Sequence, residues 1–341
     1  MWRIGRRSLF SEPFFLQWHI TNLCGLSCRH CYRQKGNAGD LSLEHLLQIL
    51  DKFEVFLKNI NRCGRIQITG GEPFLSPHLP QILHVANKKN IPCRILSSGV
   101  NIPNSVVGEI VSLGCRLVQI SIEGERDVND SIRGEGSFEK AVETMKFLRA
   151  NDVEVTVNMT VSKVNAGEVE KVMRTASIYA DRFNIARFVP INDEKTISAA
   201  DILNPLETRN CFETVYRYKI ANRGIDIPLR DPLWHGYFYK PFFGKKQGIH
   251  GCSAGYNGIT VDYDGTIYPC RRLPLGLGNI LNTDFFTVWT KSRILGGLRD
   301  RDLLKGKCGK CKIRWECGGC RAAAYAAKKD YLGEDTQCFS G

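Results

Sequence analysis

No stretch of this 341-residue chain approaches the roughly 20 consecutive apolar residues that cross a bilayer, so no helical membrane span is expected. The basic start, Met1-Trp2-Arg3-Ile4-Gly5-Arg6-Arg7, leads into an apolar stretch that Ser11, Glu12 and Pro13 interrupt, so a cleaved secretion signal is not expected either. Internal repeats and low-complexity tracts are absent, and no separate peptide-recognition domain is expected before the first strand. Apolar content of 43% and charged content of 24% are ordinary for a globular protein, and the length suits one large domain with a smaller one. Cysteine is plentiful. Fourteen are present, most of them clustered at the two ends of the chain, which argues for metal rather than disulfides and for a reducing, cytoplasmic setting.

The first cluster is Cys24-Gly25-Leu26-Ser27-Cys28-Arg29-His30-Cys31, directly after the apolar run Phe14–Ile20. Four thiolates saturate a tetrahedral zinc or a cubane of four irons, so three leave one metal position open for a small chelating ligand. Thiolate softness favours iron–sulfur or zinc over magnesium. The bland alternative is a zinc site or three unrelated buried thiols. Forty residues on, the short apolar strand Ile66-Gln67-Ile68-Thr69 ends in Gly70-Gly71-Glu72-Pro73. Two glycines at a strand end let the backbone approach a ligand closely, and the carboxylate beside them can hold an ammonium group.

CX3CX2C followed by Tyr32, then a strand ending in GGEP, resembles the radical S-adenosylmethionine (SAM) enzymes. The resemblance implies a [4Fe–4S] cluster on Cys24, Cys28 and Cys31 whose open iron chelates the amino and carboxylate groups of SAM. It implies that Gly70, Gly71, Glu72 and Pro73 contact the amino group, and that SAM is cleaved to methionine and a 5′-deoxyadenosyl radical that abstracts a hydrogen atom from the substrate.

From residue 14 to about 190, β-branched runs alternate with amphipathic stretches: strands at 14–20, 65–69, 92–98, 116–122, 153–161 and 183–190, and helices at 42–60, 78–90, 104–113, 137–151 and 165–180. Ser42 before Leu43, Leu46, Leu47, Leu50 and Phe53 fits an N-capped amphipathic helix. Six strands separated by helices predict an α/β fold with a parallel sheet, and the resemblance makes it a partial (β/α)6 TIM-like barrel. Ligands are then expected at the C-terminal strand ends. Ser97 and Ser98 end the third strand, and Asn158 lies on the fifth. The fourth strand, with Ser121, Glu123 and Gly124, precedes Asn129-Asp130-Ser131-Ile132-Arg133-Gly134. This is similar to the S-x-D-G…H-D-x-x-R-G stretch of radical SAM enzymes with extra clusters, with Glu123 and Asn129 as departures. The resemblance implies that Ser121 and Arg133 contact the ribose and carboxylate of SAM, with Ser97, Ser98 and Asn158 on the same rim.

The expected organisation is a barrel over 1–195, a bridging segment over 196–250 with a helix near 206–222 and the aromatic stretch Trp234–Tyr239, and a second metal domain over 251–341. Its cysteines are Cys252, Cys270, Cys308, Cys311, Cys317, Cys320 and Cys338. The first two bracket a β-hairpin with its turn at Asp264-Gly265. The next four read CX2CX5CX2C, by itself the signature of a structural zinc knot. Behind a radical SAM core it resembles the iron–sulfur SPASM domain, one residue short between Cys317 and Cys320. The resemblance implies two auxiliary [4Fe–4S] clusters, one on Cys308, Cys311, Cys317 and Cys338, the other on Cys252, Cys270 and Cys320. The second lacks a fourth cysteine, for which Cys211 and His250 are weak candidates. Cysteinate ligands and clusters offset part of the formal charge of +12, leaving a moderately basic surface.

The resemblance implies an oxidoreductase that modifies a ribosomally made precursor peptide by crosslinking, epimerisation or backbone excision. A flavodoxin or ferredoxin type of one-electron donor and a separate peptide-recognition protein are the implied partners, without membrane or nucleic acid. The alternatives are tetrapyrrole or other cofactor biosynthesis, sulfatase-type maturation, and a zinc-binding nucleic-acid protein. Sulfatase-maturing members place an Asp base after the second SPASM cysteine; here Arg271 stands there, and a guanidinium cannot accept a proton. No catalytic acid, base or hydrogen donor is assigned. Cys93 and Cys115 flank strands and read as buried thiols, with a hydrogen-donor role the minority reading.

Overall fold

The computed structural model describes residues 12–33, 39–191, 196–238 and 251–340. The six expected strands form at β1 (Phe14–His19), β2 (Gly64–Thr69), β3 (Cys93–Ser97), β4 (Leu117–Ser121), β5 (Glu154–Val161) and β6 (Arg182–Arg187). Between them run α1 (Leu43–Asn59), α2 (Leu79–Lys88), α3 (Asn104–Ser112), α4 (Arg126–Arg133), α5 (Ser137–Ala150) and α6 (Val169–Tyr179). Ser42 caps α1 as its sequence suggests, accepting the His45 N–H. Helix α4 has no counterpart in the sequence reading and carries Arg133 in its last turn.

Period-two alternation sorts each strand into a helix-facing and an inward-facing set. In β1, Phe14, Leu16 and Trp18 are fully buried against the helical layer, Phe14 meeting Phe53 and Phe56 of α1 at ring distances of 6.3 and 5.0 Å. The opposite face carries Gln17 and His19, which are also buried. Buried polar residues on one strand face mark an interior that holds something other than hydrocarbon.

The sheet order is β6-β5-β4-β3-β2-β1-β7-β8, with β1 to β6 parallel. β6 does not pair with β1, so the barrel is partial. The free edge of β1 instead takes β7 (Gly258–Val261) in parallel, and β8 (Ile267–Tyr268) returns antiparallel to it. The hairpin therefore continues the barrel sheet. Its turn falls where the sequence places it, with Gly265 at φ 87° and its N–H on the Asp262 carbonyl at 2.9 Å. A Cβ added at Gly258 would stand 2.3 Å from the Phe15 ring, so the ring would have to shift.

The bridging helix α7 (Pro205–Ala221) packs on α6 and is capped reciprocally by Asn204 and Glu207. Its Phe212 stacks at 4.3 Å on Trp234 of α8 (Trp234–Phe238), so the aromatic stretch is packing up to Phe238; Tyr239 lies outside the described residues. The C-terminal part adds α9 (Phe285–Lys291), α10 (Arg293–Arg299), α11 (Gly306–Lys310) and α12 (Arg321–Lys328). α9 drives Phe285 and Trp289 onto Phe53 and Phe14 of the barrel, at 5.7 and 4.9 Å. A buried ion network completes the union. Arg187 at the end of β6 donates to Asp231 (2.8 Å) and to Asp335 (2.9 Å), and Asp335 in turn accepts the Cys320 N–H at 2.8 Å.

Candidate metal and cofactor centre

The three-cysteine loop leaves β1 and is held on two sides. On one side its backbone pairs with the GGEP turn: Gly71 N–H donates to the Thr21 carbonyl at 2.8 Å, and Glu72 N–H to the Leu23 carbonyl at 2.7 Å. A Cβ on Gly71 would lie 2.0 Å from the Leu23 carbonyl oxygen, and one on Gly70 would lie 2.5 Å from that of Thr21. The close approach that these glycines permit is thus to the chain's own loop. On the other side Arg29 N–H donates to the Ile132 carbonyl (2.9 Å), and the Cys28 sulfur lies 4.0 Å from both the carbonyl and Nη1 of Arg133. The loop is clamped between β2 and α4.

Glu72 is buried, and its carboxylate accepts from Ser97 Oγ (2.8 Å), Ser98 N (2.9 Å) and Ser98 Oγ (2.6 Å). Burial pushes its carboxyl up, and these hydrogen bonds pull against that. Ser97 and Ser98 therefore brace the GGEP turn, and Pro73 opens a short 3-10 turn behind it. Ser121 and Asn158 sit directly opposite one another on β4 and β5, partly exposed.

Sequence reasoning noted Glu123 as a departure and assigned it no role. It is fully buried and holds three groups: Arg133 through Nε (3.2 Å) and Nη2 (2.5 Å), His30 Nε2 at 3.3 Å, and Thr160 N–H at 2.7 Å. Burial alone would raise its carboxyl, but Arg133 and then His30 outweigh it and hold the group at about 2. Asn129, the other departure, is also fully buried and bridges Glu123 N–H to Ser137 Oγ, each at 2.9 Å. Arg133 is therefore a largely enclosed cation beside Cys28.

A second unforeseen group lies behind the loop. His19, buried at the end of β1, places Nδ1 2.9 Å from Asp262 at the end of the hairpin strand β7, and Nε2 2.9 Å from the Tyr32 hydroxyl. Burial pushes the phenol up to about 12, so it keeps its proton and donates to Nε2, which leaves Nδ1–H for Asp262.

The cysteines of the C-terminal part fall into two neighbourhoods. Cys338 lies within electrostatic reach of Cys308 and Cys311, and Cys317 within reach of Cys338. All four line one cavity of about 1250 Å³. Cys320 is within reach of Cys252, and both Cys320 and Cys270 act on the buried Arg272. Donors already point at these sulfurs: Arg321 Nη2 and Asp335 N at 3.5 Å from Cys308, and Gly319 N at 3.3 Å from Cys317. Such donors fit negatively charged cluster thiolates. Among the described residues no three such side chains converge as they would around a single ion, whereas a cubane binds each thiolate through a different iron. Cys211, a candidate fourth ligand, sits on α7, with burial and Glu207 raising its thiol to about 11. His250 lies outside the described residues. Cys93 begins β3 and Cys115 precedes β4, at the far end of the strands from the three-cysteine loop, so neither is placed to donate hydrogen there.

Comparison with known proteins agrees with this geometry. The radical SAM superfamily model matches residues 18–176, and the iron–sulfur cluster-binding SPASM domain model matches 252–312. The AdoMet-dependent heme synthase of Methanosarcina barkeri is 27% identical over 357 residues, covering 97% of this chain and 98% of that protein. The mycofactocin maturase MftC of Mycobacterium tuberculosis is 29% identical over 346 residues, covering 96% of this chain and 83% of that one. In fold, the chain is similar to Streptococcus suis SuiB, with TM-score 0.76 and 19% identity over 96% of this chain and 77% of that one.

Proposed function

We propose, on the premise that the chain belongs to the radical SAM superfamily and carries a SPASM iron–sulfur domain, that this enzyme modifies a ribosomally synthesised precursor peptide. SAM and its cluster supply a carbon-centred radical when bound. The chain's own residues do the positioning: Cys24, Cys28 and Cys31 hold the cluster, the GGEP turn and α4 fix their loop, and Arg133 offers a guanidinium to a carboxylate beside it. Gly70 to Pro73, Ser121 and Asn158 form the SAM-facing rim in this reading. The auxiliary clusters sit on Cys308, Cys311, Cys317 and Cys338 and on Cys252, Cys270 and Cys320, in a domain over 251–341 joined to the 1–195 barrel through 196–250. The electron donor is a flavodoxin or ferredoxin type of protein, and a separate protein presents the peptide.

The observation that carries the peptide reading is the likeness to mycofactocin maturases, which extends over 96% of the chain at 28–29% identity and so takes in barrel, bridge and cysteine field alike. A second reading, tetrapyrrole biosynthesis, is favoured by the match in length with the heme synthase, 98% of which is covered. The zinc-binding, non-enzymatic alternative falls with the family assignment. Anaerobic incubation with SAM, reductant and short peptides encoded beside the gene tests the proposal. A mass change in one peptide that requires SAM and Cys24 supports it, and turnover of a porphyrin with no change in any peptide overturns it.

A further inference from the structure

We propose that Arg271 and Gln17 form a carboxylate-binding subsite inside the barrel mouth, which selects a substrate by an acidic group. The inference rests on the reading that an organic substrate enters the barrel, and it holds for either substrate class above.

Arg271 follows Cys270, three residues past the end of β8, and its Nη1 donates to Gln17 Oε1 at 2.9 Å. Gln17 lies on the inward face of β1 and is only 2% exposed. A guanidinium can only donate, so it fixes the amide with its oxygen toward Arg271 and its NH2 away. That NH2 is buried and has no acceptor. An unsatisfied buried amide costs about 1–3 kcal/mol, so a position that keeps one is waiting for a partner.

Arg271 beside it is half-buried, with donors beyond the one that Gln17 accepts. Among the described residues it forms no ion pair, and its acceptor is the neutral Gln17 amide. Its charge is felt at Tyr32 and His19 together with that of Arg33, so it lies within electrostatic reach of the residue that follows Cys31. The acid near this point is already engaged, since Asp262 is bound by His19. Arg33 is also occupied, by the Thr21 carbonyl at 2.9 Å and by Asn22. Arg272 turns the other way, to the Arg187 carbonyl at 2.8 Å. A guanidinium with unspent donors beside an unspent amide NH2 calls for an acceptor with charge −1 and two oxygens, which is a carboxylate. Candidate sources are a peptide C-terminus and a tetrapyrrole propionate.

The test is equilibrium dialysis of the anaerobically reconstituted full chain with SAM against two probe pairs. One is an octapeptide pool with free C-terminal carboxylates and the same pool capped as amides; the other is mesoporphyrin and its dimethyl ester. The native chain is expected to bind the free acid of at least one pair about tenfold or more tightly than its neutral counterpart, from charge-assisted hydrogen bonding. Arg271→Gln should abolish that preference and Arg271→Lys should keep part of it. Gln17→Met, which removes the amide without touching the residue beside Cys270, should weaken it if Arg271→Gln loses iron. Equal binding of acid and neutral forms in both pairs, or a preference that survives both Arg271→Gln and Gln17→Met, overturns the subsite. A preference confined to mesoporphyrin supports the subsite and overturns the peptide reading.

Discussion

The imidazole of His19 at the end of β1 is tied to the carboxylate of Asp262 at the end of β7 across a 2.9 Å hydrogen bond, although 243 residues separate them. Its other nitrogen holds Tyr32, the residue after the last cysteine of the loop. One side chain thus connects the barrel, the cluster loop and the auxiliary hairpin.

His19→Phe leaves the half-buried Asp262 and Tyr32 hydroxyl without this partner, at about 1 kcal/mol for each hydrogen bond lost. Chemical denaturation should show the loss. The pH dependence has a definite sign. Burial lowers the imidazole below its ordinary 6.5, against the opposing pull of Asp262, so the fold favours the neutral ring. Its contribution is complete above pH 6.5 and declines as pH falls below that value, and His19→Gln should show a shallower decline than the native chain over the same range. A parallel decline in both would mean that His19 does not titrate in the fold.

Glu123→Ala leaves the largely enclosed Arg133 cation without its carboxylate, a change that costs up to about 3 kcal/mol. Glu123→Gln, which keeps an acceptor oxygen, should cost less. Both should weaken SAM binding through Arg133, measurable by equilibrium dialysis.

Gly71→Ala forces a Cβ against the Leu23 carbonyl, 2.0 Å away, and must separate the GGEP turn from the loop. Reconstituted protein should lose the iron of the first site and retain that of the auxiliary sites. Full iron with normal SAM binding would show that this pairing is dispensable.

The alanine triple at Cys308, Cys311 and Cys317 should lower iron by about four atoms per chain and leave the first cluster's spectrum intact. Unchanged iron content would remove the assignment of the auxiliary cysteines.

The six strands and the cysteine fields were legible in the sequence because both are local signals: alternation bounded by turns, and thiols at fixed spacing. Helix α4 was not. Val128 and Ile132 are its sole apolar residues, and Ile132 is buried against Phe188 and Ile197, which are distant in sequence. The pairing of β7 with β1 was equally hidden, since nothing in Gly258–Val261 specifies which strand edge it joins. The glycines of GGEP were read as points where the backbone approaches a ligand, whereas their close packing on residues 21–23 emerged only from the fold. Glu123 stood out as a substitution, while its meaning depended on His30 and Arg133 arriving from either side.

The central claim is that Cys24, Cys28 and Cys31 hold a cluster that cleaves SAM. Anaerobic reconstitution with iron and sulfide, followed by iron counting and assay of 5′-deoxyadenosine under reductant, tests it directly in the native chain and the Cys24/Cys28/Cys31→Ala triple. The account predicts about twelve irons and 5′-deoxyadenosine from the native chain, and about eight irons and none from the triple. Zinc in place of iron, or cleavage that survives the triple substitution, would contradict it.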